Sequence, residues 1–160
     1  MKYYPPALFS ECRQYRYTLN RRIGFNETVC NFIMLNPSTA DEEKSDPTVT
    51  RCIGFARRWG YGVLCVTNIF ALRSTDPRIL PSCLDPIGSD NNYWIGTMAR
   101  QADKVIVAWG NWGATNGRSS DIRALLSDIP LYHLELTGKG EPGHPLYLPS
   151  STVPKLYGRV

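Results

Sequence analysis

Four short apolar runs of this chain are followed by residues that could carry chemistry. Asn36, Asn68 and Trp109-Gly110 come directly after three of these runs, and His144 lies in a glycine- and proline-rich loop after the fourth. An amide can hold a water through its carbonyl oxygen and donate to a ligand through its NH2 group. An imidazole titrates near neutrality, so it can serve as an acid or as a neutral hydrogen-bond donor. These residue types indicate a site for a flat ligand with donors and acceptors, such as a nucleobase.

The runs themselves predict the strands that must position these residues. They occupy residues 30–35, 63–67, 105–108 and 131–136, and helix-like segments separate them. Strands that alternate with helices build a parallel sheet with covering helices. We therefore predict one three-layer α/β domain over residues 1–160, with a short, mostly parallel central sheet of about four strands and an antiparallel N-terminal edge at residues 12–20. Ligands of such open sheets bind beyond the carboxyl ends of the strands, so the four positions should converge on one pocket.

Three helices are predicted between these strands. Asp46 followed by Pro47 is typical of an N-cap and a first helical position, and Gly60 ends this helix. A second helix begins at Ser89 or Asp90 and ends near residue 101, and a short third helix covers residues 121–128. Each of these helices lies between two of the apolar runs, as a parallel sheet requires.

The loops next to the strand ends supply further candidate contacts for a ligand. Arginine forks pair well with phosphate, and Arg73, Ser74 and Lys139 are the candidate phosphate clamps. The predicted catalytic residues are Asn36 and His144, and the whole predicted ligand-binding set is Asn36, Pro37, Ser38, Asn68, Phe70, Arg73, Ser74, Trp109, Gly110, Asn111, Lys139 and His144. Structural alternatives stay open, because the two asparagines can tie loops together and Trp109 can belong to the core. His133 alternates within a strand and is predicted to be packed in the core.

Composition excludes several classes of protein. The net charge of +4 lies well below that of a dedicated nucleic-acid binder, although thirteen of the eighteen cationic residues are arginines. Five widely spaced cysteines form no C-x-x-C pair and lack zinc-ligand spacing, so we predict no metal site and no cofactor. No apolar stretch is long enough to span a bilayer and no signal peptide is visible, which predicts a cytoplasmic protein without a membrane partner. The oligomeric state stays open, with a homo-oligomer as one option.

Five segments of the chain form a specific set of motifs. They read Met-Leu-Asn-Pro-Ser-Thr-Ala-Asp at residues 34–41, Asp-Pro-Thr-Val-Thr-Arg at 46–51, Val-Thr-Asn-Ile-Phe-Ala-Leu-Arg-Ser-Thr-Asp-Pro at 66–77, Ala-Trp-Gly at 108–110 and His-Pro-Leu-Tyr-Leu-Pro at 144–149. This set, which covers nearly the whole chain, resembles a bacterial and phage family known only by a domain-of-unknown-function label. The resemblance carries no settled activity.

Four of these segments also resemble, more distantly, the motifs of the uracil-DNA glycosylase superfamily in the same order. Asn36-Pro37 is similar to the first motif of mismatch-type members, and Asn68 stands at the place of the amide that reads the base. Residues 105–110 are similar to a strand that ends in Leu-Trp-Gly, and residues 144–146 to His-Pro-Ser with Leu146 in place of the serine. The resemblance implies a glycosylase-like fold in which Asn36 positions the attacking water, Asn68 reads the base edge and His144 stabilises charge on the departing base.

These observations lead to three hypotheses about function. The first is hydrolysis of an N-glycosidic bond in DNA or in a nucleotide. The second is a non-catalytic protein that binds or sequesters a nucleotide signal or a modified base, as in phage or bacterial defence. Asparagine instead of an acid at position 36, and Leu146 instead of a hydroxyl that would hold phosphate, favour this second hypothesis. Both give the protein a nucleobase-containing partner, either a nucleotide or a nucleic acid, whereas the third hypothesis is a protein-interaction domain.

Overall fold

In the computed structural model, which describes residues 4–158, seven strands form one sheet. In chain order they are β1 (Ala7–Phe9), β2 (Arg16–Arg22), β3 (Val29–Met34), β4 (Val63–Asn68), β5 (Lys104–Val107), β6 (Tyr132–His133) and β7 (Lys155–Leu156). Across the sheet the order is β1-β2-β4-β3-β5-β6-β7. Strands β4, β3, β5 and β6 are parallel neighbours, whereas β2 is antiparallel to β4, and β1 and β7 are antiparallel to their neighbours.

The prediction of about four mostly parallel strands is therefore wrong in the number of strands and in the proportion of parallel pairings. The four apolar runs do supply β3, β4, β5 and β6, but only two residues of the last run pair as a strand. The predicted N-terminal edge corresponds to β2, and β1 pairs outside it. The additional strands have two or three residues each, which is too short for a recognisable alternation of apolar and polar side chains.

Three α-helices connect and cover the strands. They are α1 (Pro47–Arg58), α2 (Asn91–Gln101) and α3 (Arg118–Leu125). Segments of 3₁₀ helix cover Pro77–Ser82, Asn111–Gly117, which a kink at Thr115 and Asn116 interrupts, and Pro145–Tyr147. Helix α1 begins as predicted, because the Asp46 carboxylate accepts a hydrogen bond of 2.8 Å from the backbone N–H of Val49. Helix α3 begins earlier than predicted, directly after Gly117, whose φ of 71° is readily adopted by glycine. None of the helices within residues 4–158 is long and apolar enough to cross a membrane.

The helices lie on opposite faces of the sheet, and open sheets covered in this way bind ligands in the crevice beyond the carboxyl ends of their strands. Helix α1 packs Phe55 and its neighbours against Phe32 on one face. Helices α2 and α3 pack Ile95 and Ile122 against Ile33 on the other face, which gives three layers. Strand β3 lies between β4 and β5, and the connections from β3 and from β4 cross opposite faces. The connection from β3 leads to β4 on one side and the connection from β5 leads to β6 on the other, so the topological switch point of this open sheet lies between β3 and β5.

Candidate functional site at the carboxyl edge of the sheet

The ends of β3 and β4 bring the two predicted asparagine segments side by side. Asn68 is the last residue of β4 and pairs with Met34, the last residue of β3. The pairing continues past both strands, because the N–H of Phe70 donates to the carbonyl of Leu35 over 2.9 Å. Asn36, two residues beyond β3, therefore lies next to the segment that follows Asn68.

The Asn68 side chain is held in one orientation by a buried arginine. Asn68 is only 2% exposed, and its Oδ1 accepts a hydrogen bond of 3.3 Å from Nη2 of Arg16. Its Nδ2 has no partner among residues 4–158, so the NH2 group is the part of the amide that is available to a ligand. Side chains alternate along a strand, and the preceding residue of the same parity, Val66, packs on the α1 face. Asn68 therefore points to the α1 side of the sheet.

The Asn36 amide is held by its NH2 group, whereas the Asn68 amide is held by its oxygen. Its Nδ2 donates to the carbonyl oxygen of Ser74 over 2.8 Å and to that of Pro37 over 3.2 Å. Its Oδ1 has no partner within the described part of the chain. Within the described residues, the NH2 group of Asn36 is hydrogen-bonded and its Oδ1 is free. For Asn68 the reverse holds, because its Oδ1 is hydrogen-bonded and its NH2 group is free. Such a pair can offer one fixed acceptor, suited to a water, and one fixed donor, suited to a carbonyl oxygen.

Arg16 is a cation that the folded chain buries without a carboxylate partner. It is 2% exposed, its Nη1 donates to the carbonyl of Ala40 over 2.9 Å, and its buried Nε has no partner. No ion pair of Arg16 occurs among residues 4–158. Burial lowers the pKa of Arg16 to about 10, the charge of Asp46 acts to raise it, and Arg73 and Arg21 act to lower it. Arg16 therefore stays charged at neutral pH and places a positive charge beside the Asn68 amide.

His144 is a neutral hydrogen-bond donor at neutral pH. Its Nδ1 accepts a hydrogen bond of 3.2 Å from the N–H of Leu146, which leaves the proton of the neutral ring on Nε2. The side chain keeps solvent contact, yet the protein around the ring lowers its pKa below 6.5 by desolvation, and the opposing influence is the charge of Asp46. Asp46 caps α1 and acts on both Arg16 and His144. The predicted histidine thus lies on the same side of the sheet as Asn68.

Trp109 is a core residue and does not present a stacking surface. It is 1% exposed, and its Nε1 donates to Oε2 of Glu141 over 2.7 Å. The second carboxylate oxygen of Glu141 accepts from the hydroxyl of Ser119 over 3.1 Å. The following residue, Gly110, donates its N–H to the carbonyl of Pro142 over 2.7 Å. These contacts fasten the loop that carries His144 to the end of β5.

The remaining predicted contacts divide into two groups. The loops after β3 and β4 are joined, since the N–H of Ser74 donates to the carbonyl of Pro37 over 2.9 Å. The guanidinium of Arg73 lies 4.8 Å from the ring centre of Phe9 and donates to the carbonyl of Arg13 over 3.3 Å. Ser38 is partly exposed beside this junction. Pro37, Ser38 and Ser74 therefore belong with Asn36.

Other predicted residues lie away from the two asparagines. Phe70 is 1% exposed in the core on the α2 and α3 face and offers no surface to a ligand. Asn111 accepts a hydrogen bond of 2.6 Å from the hydroxyl of Thr137. Lys139 is exposed in the turn that follows Thr137, and no contact joins its side chain to the asparagines within residues 4–158. His133 is 8% exposed, as predicted for a packed histidine.

The residue that organises Asn68 was not singled out from the sequence. Arg16 was one of many arginines, and an arginine in a strand with alternating side chains usually faces solvent. The structure nevertheless buries all of residues 16–20, although polar and apolar side chains alternate along this stretch. A second buried arginine, Arg118, lies on the other face and donates to the carbonyl of Ile69 over 2.8 Å and to Oδ1 of Asn92 over 2.6 Å. Arg118 therefore supports the backbone beside Asn68 without touching its side chain.

Two surface clefts among residues 4–158 do not include the asparagines. One lies between α1 and residues 146–150 and begins beside Asp46, with Arg51 and Leu146 in its wall. The other is a largely apolar cleft between α3 and β7, on the opposite side of the sheet. Only the first adjoins the His144 loop. Within residues 4–158, no group of three or more His, Cys, Asp or Glu side chains could hold a metal ion.

Comparison with known proteins identifies a family but no activity. Neither the curated proteins nor the solved structures contain a match to this chain. A family match covers residues 16–146, which is well over half of the chain. It begins at Arg16 and includes both asparagines, Trp109 and His144. The chain therefore belongs to the family described as "Protein of unknown function (DUF1643)", over residues 16–146.

Proposed function

We propose that this protein recognises a nucleobase, free or within a nucleotide or nucleic acid, in the crevice beyond β3 and β4. The observation that carries the proposal is the complementary pair of amides. Asn68 keeps an unused NH2 donor beside a buried cation, and Asn36 keeps an unused carbonyl oxygen on the neighbouring strand end. Bases are flat molecules whose edges alternate donors and acceptors, and such amides discriminate among them. The resemblance of these segments to the uracil-DNA glycosylase motifs supports the same ligand class.

In the catalytic form of this proposal, the protein hydrolyses an N-glycosidic bond. Asn36 Oδ1 accepts a hydrogen bond from the attacking water, whose oxygen bonds to the sugar C1′ carbon. The C1′–N bond breaks and its electron pair leaves with the base, while the proton released by the water passes to the departing base or to solvent. The donors of Asn68 and the neutral Nε2–H of His144 stabilise the negative charge on the base.

The second candidate function is binding without chemistry, and the contacts of Asn36 favour it. An amide cannot take a proton from water, and both hydrogens of Asn36 are already given to backbone carbonyls. A pocket of this kind would hold or sequester a nucleotide or a modified base. Incubation with oligonucleotides that carry uracil, hypoxanthine or modified pyrimidines separates the two forms. Abasic product supports hydrolysis, whereas nucleotide binding without product supports the binder.

The variant Asn68→Asp tests the recognition proposal itself. It keeps an oxygen for Arg16 but replaces the NH2 donor by a second carboxylate oxygen. We expect the variant to unfold at the parent's temperature or above, because it supplies the missing partner of a buried cation. We also expect it to lose nucleotide affinity by about 10-fold or more, the scale of a good contact to a base edge. Calorimetric titration with nucleoside monophosphates and thermal unfolding measure the two effects.

Asn92→Asp is the matched control for added charge. Asn92 accepts from the other buried arginine, Arg118, on the far face of the sheet. The Asn92→Asp variant should bind nucleotides like the parent. If Asn68→Asp also binds like the parent, the crevice is not the recognition site. Native mass spectrometry of the freshly purified protein, which detects a co-purified nucleotide, gives an independent check.

A further inference from the structure

The contact between Arg16 and Asn68 limits what the amide can offer to a ligand. Nη2 of Arg16 donates to Oδ1 of Asn68 over 3.3 Å, and neither residue is more than 2% exposed. A flipped amide would place its NH2 group against the guanidinium, so that two donors would face each other. Buried donors without acceptors are strongly disfavoured. The flipped state is therefore suppressed, and Asn68 presents hydrogens rather than an oxygen to the crevice.

The charge of Arg16 also strengthens this donor. No carboxylate pairs with the guanidinium among residues 4–158, so its charge is not neutralised by an ion pair. Hydrogen bonds from a charged donor are stronger than neutral ones, and successive hydrogen bonds polarise one another. Donation by Arg16 draws electron density towards Oδ1 and makes the Nδ2 hydrogens more positive. The amide should therefore favour an acceptor that carries partial or full negative charge.

We infer that Arg16 is a positioning residue that restricts the crevice to bases with a carbonyl oxygen, rather than an amino group, at the atom facing Asn68. This inference rests on the proposed function and adds the class of base to it. The class comprises keto bases such as uracil and hypoxanthine. Cytosine and adenine, which carry an amino group at the corresponding position, would place a second donor against the NH2 group of Asn68.

A purely structural role for Arg16 makes a different prediction. Arg16 also holds the carbonyl of Ala40, in the loop that follows Asn36, over 2.9 Å. If this tether were the whole role of Arg16, its loss would loosen the loop and lower the affinity for all nucleotides alike. If Arg16 orients the Asn68 amide, its loss would instead change the ratio between keto and amino ligands. The ratio is therefore the measurement that separates the two roles.

The test uses two matched pairs of nucleotides, IMP with AMP and UMP with CMP, on the 160-residue chain. Within each pair the bases differ at the keto or amino position under test. We expect the parent to prefer the keto member by about 10-fold or more in whichever pair binds. In Arg16→Met, which has no donor for Oδ1 of Asn68, the ratio of keto to amino affinity should fall towards one. Arg16→Lys keeps a cationic donor and should retain part of the preference. Arg100→Met, at an exposed arginine of α2 that pairs with Asp128, is the control and should retain all of it.

Each result has a defined meaning. A parent that binds no nucleotide contradicts the proposed function, and this inference with it. A parent that binds keto and amino members equally, or prefers the amino member, overturns this inference and leaves nucleobase recognition standing. An unchanged ratio in Arg16→Met also overturns it. If Arg16→Met does not fold, the ratios of the parent and of Arg16→Lys still decide, because an Arg16→Lys ratio wider than the parent's contradicts the inference.

Discussion

The Nδ2 atom of Asn36 lies 2.8 Å from the carbonyl oxygen of Ser74 and thereby joins the loop after β3 to the loop after β4. The same nitrogen also donates to the carbonyl of Pro37. Two carbonyl oxygens thus require an amide at position 36, whatever ligand its oxygen meets. A carboxylate there would face both carbonyls without a hydrogen to donate.

We therefore expect Asn36→Asp to lower stability rather than to create activity. The loss of the two donated hydrogen bonds should reduce the free energy of unfolding by about 1–3 kcal/mol. Urea denaturation of the variant measures this loss, and Thr39→Ala, at an exposed neighbouring position, is the matched control that should unfold like the parent. An Asn36→Asp protein as stable as the parent would show that the Ser74 contact contributes little.

The hydrogen bond between Trp109 and Glu141 should support the end of β5. Glu141→Ala leaves the buried indole N–H without an acceptor, and we expect a loss of about 1–3 kcal/mol in the free energy of unfolding. Trp109→Phe removes the donor, so the two substitutions together should cost less than the sum of their separate effects. Urea unfolding of the four proteins of this cycle gives the coupling energy, and strict additivity would contradict the expected contact.

Stability should fall as the pH is lowered below the ordinary histidine range. Desolvation by the surrounding protein lowers the pKa of His133 and of His144 below 6.5 in the folded protein. The unfolded chain therefore takes up protons first as the pH falls, and the folded state loses its advantage below about pH 6.5. The contribution is present in full above that value. Carboxylates with lowered pKa, such as Asp41 and Asp128, act in the same direction but at lower pH.

Thermal unfolding between about pH 7.5 and about pH 5.5 tests this dependence while most carboxylates stay ionised. The Tm of the parent should decrease across this interval. A variant with both His133→Gln and His144→Gln should show a flatter profile than the parent. A parent Tm that rises on acidification, or a slope that survives in the double variant, would contradict the assignment of the two histidines.

The positions of the central strands and helices follow from local patterns, but the outer strands do not. Strands β3, β4 and β5 are largely apolar runs, and Asp46-Pro47 marks the start of α1, so each is visible in a short window of sequence. Strand β7 has two exposed residues and exists because β6 offers it an unpaired edge. No local pattern encodes such pairing, since it depends on which edge the fold leaves open.

In the candidate site too, some features follow from the sequence alone and others are decided by the tertiary structure. Chain order alone places Asn68 at the end of an apolar run and Asn36 before a proline, so the sequence determined which residue types stand at the edge of the sheet. It could not determine which atom of each amide remains free. That choice belongs to Arg16 and Ser74, which lie 52 and 38 residues away along the chain and meet the two amides only in the folded protein. An amide has two ends of nearly equal shape and opposite hydrogen-bonding character, so only its tertiary partners decide which end is left for a ligand.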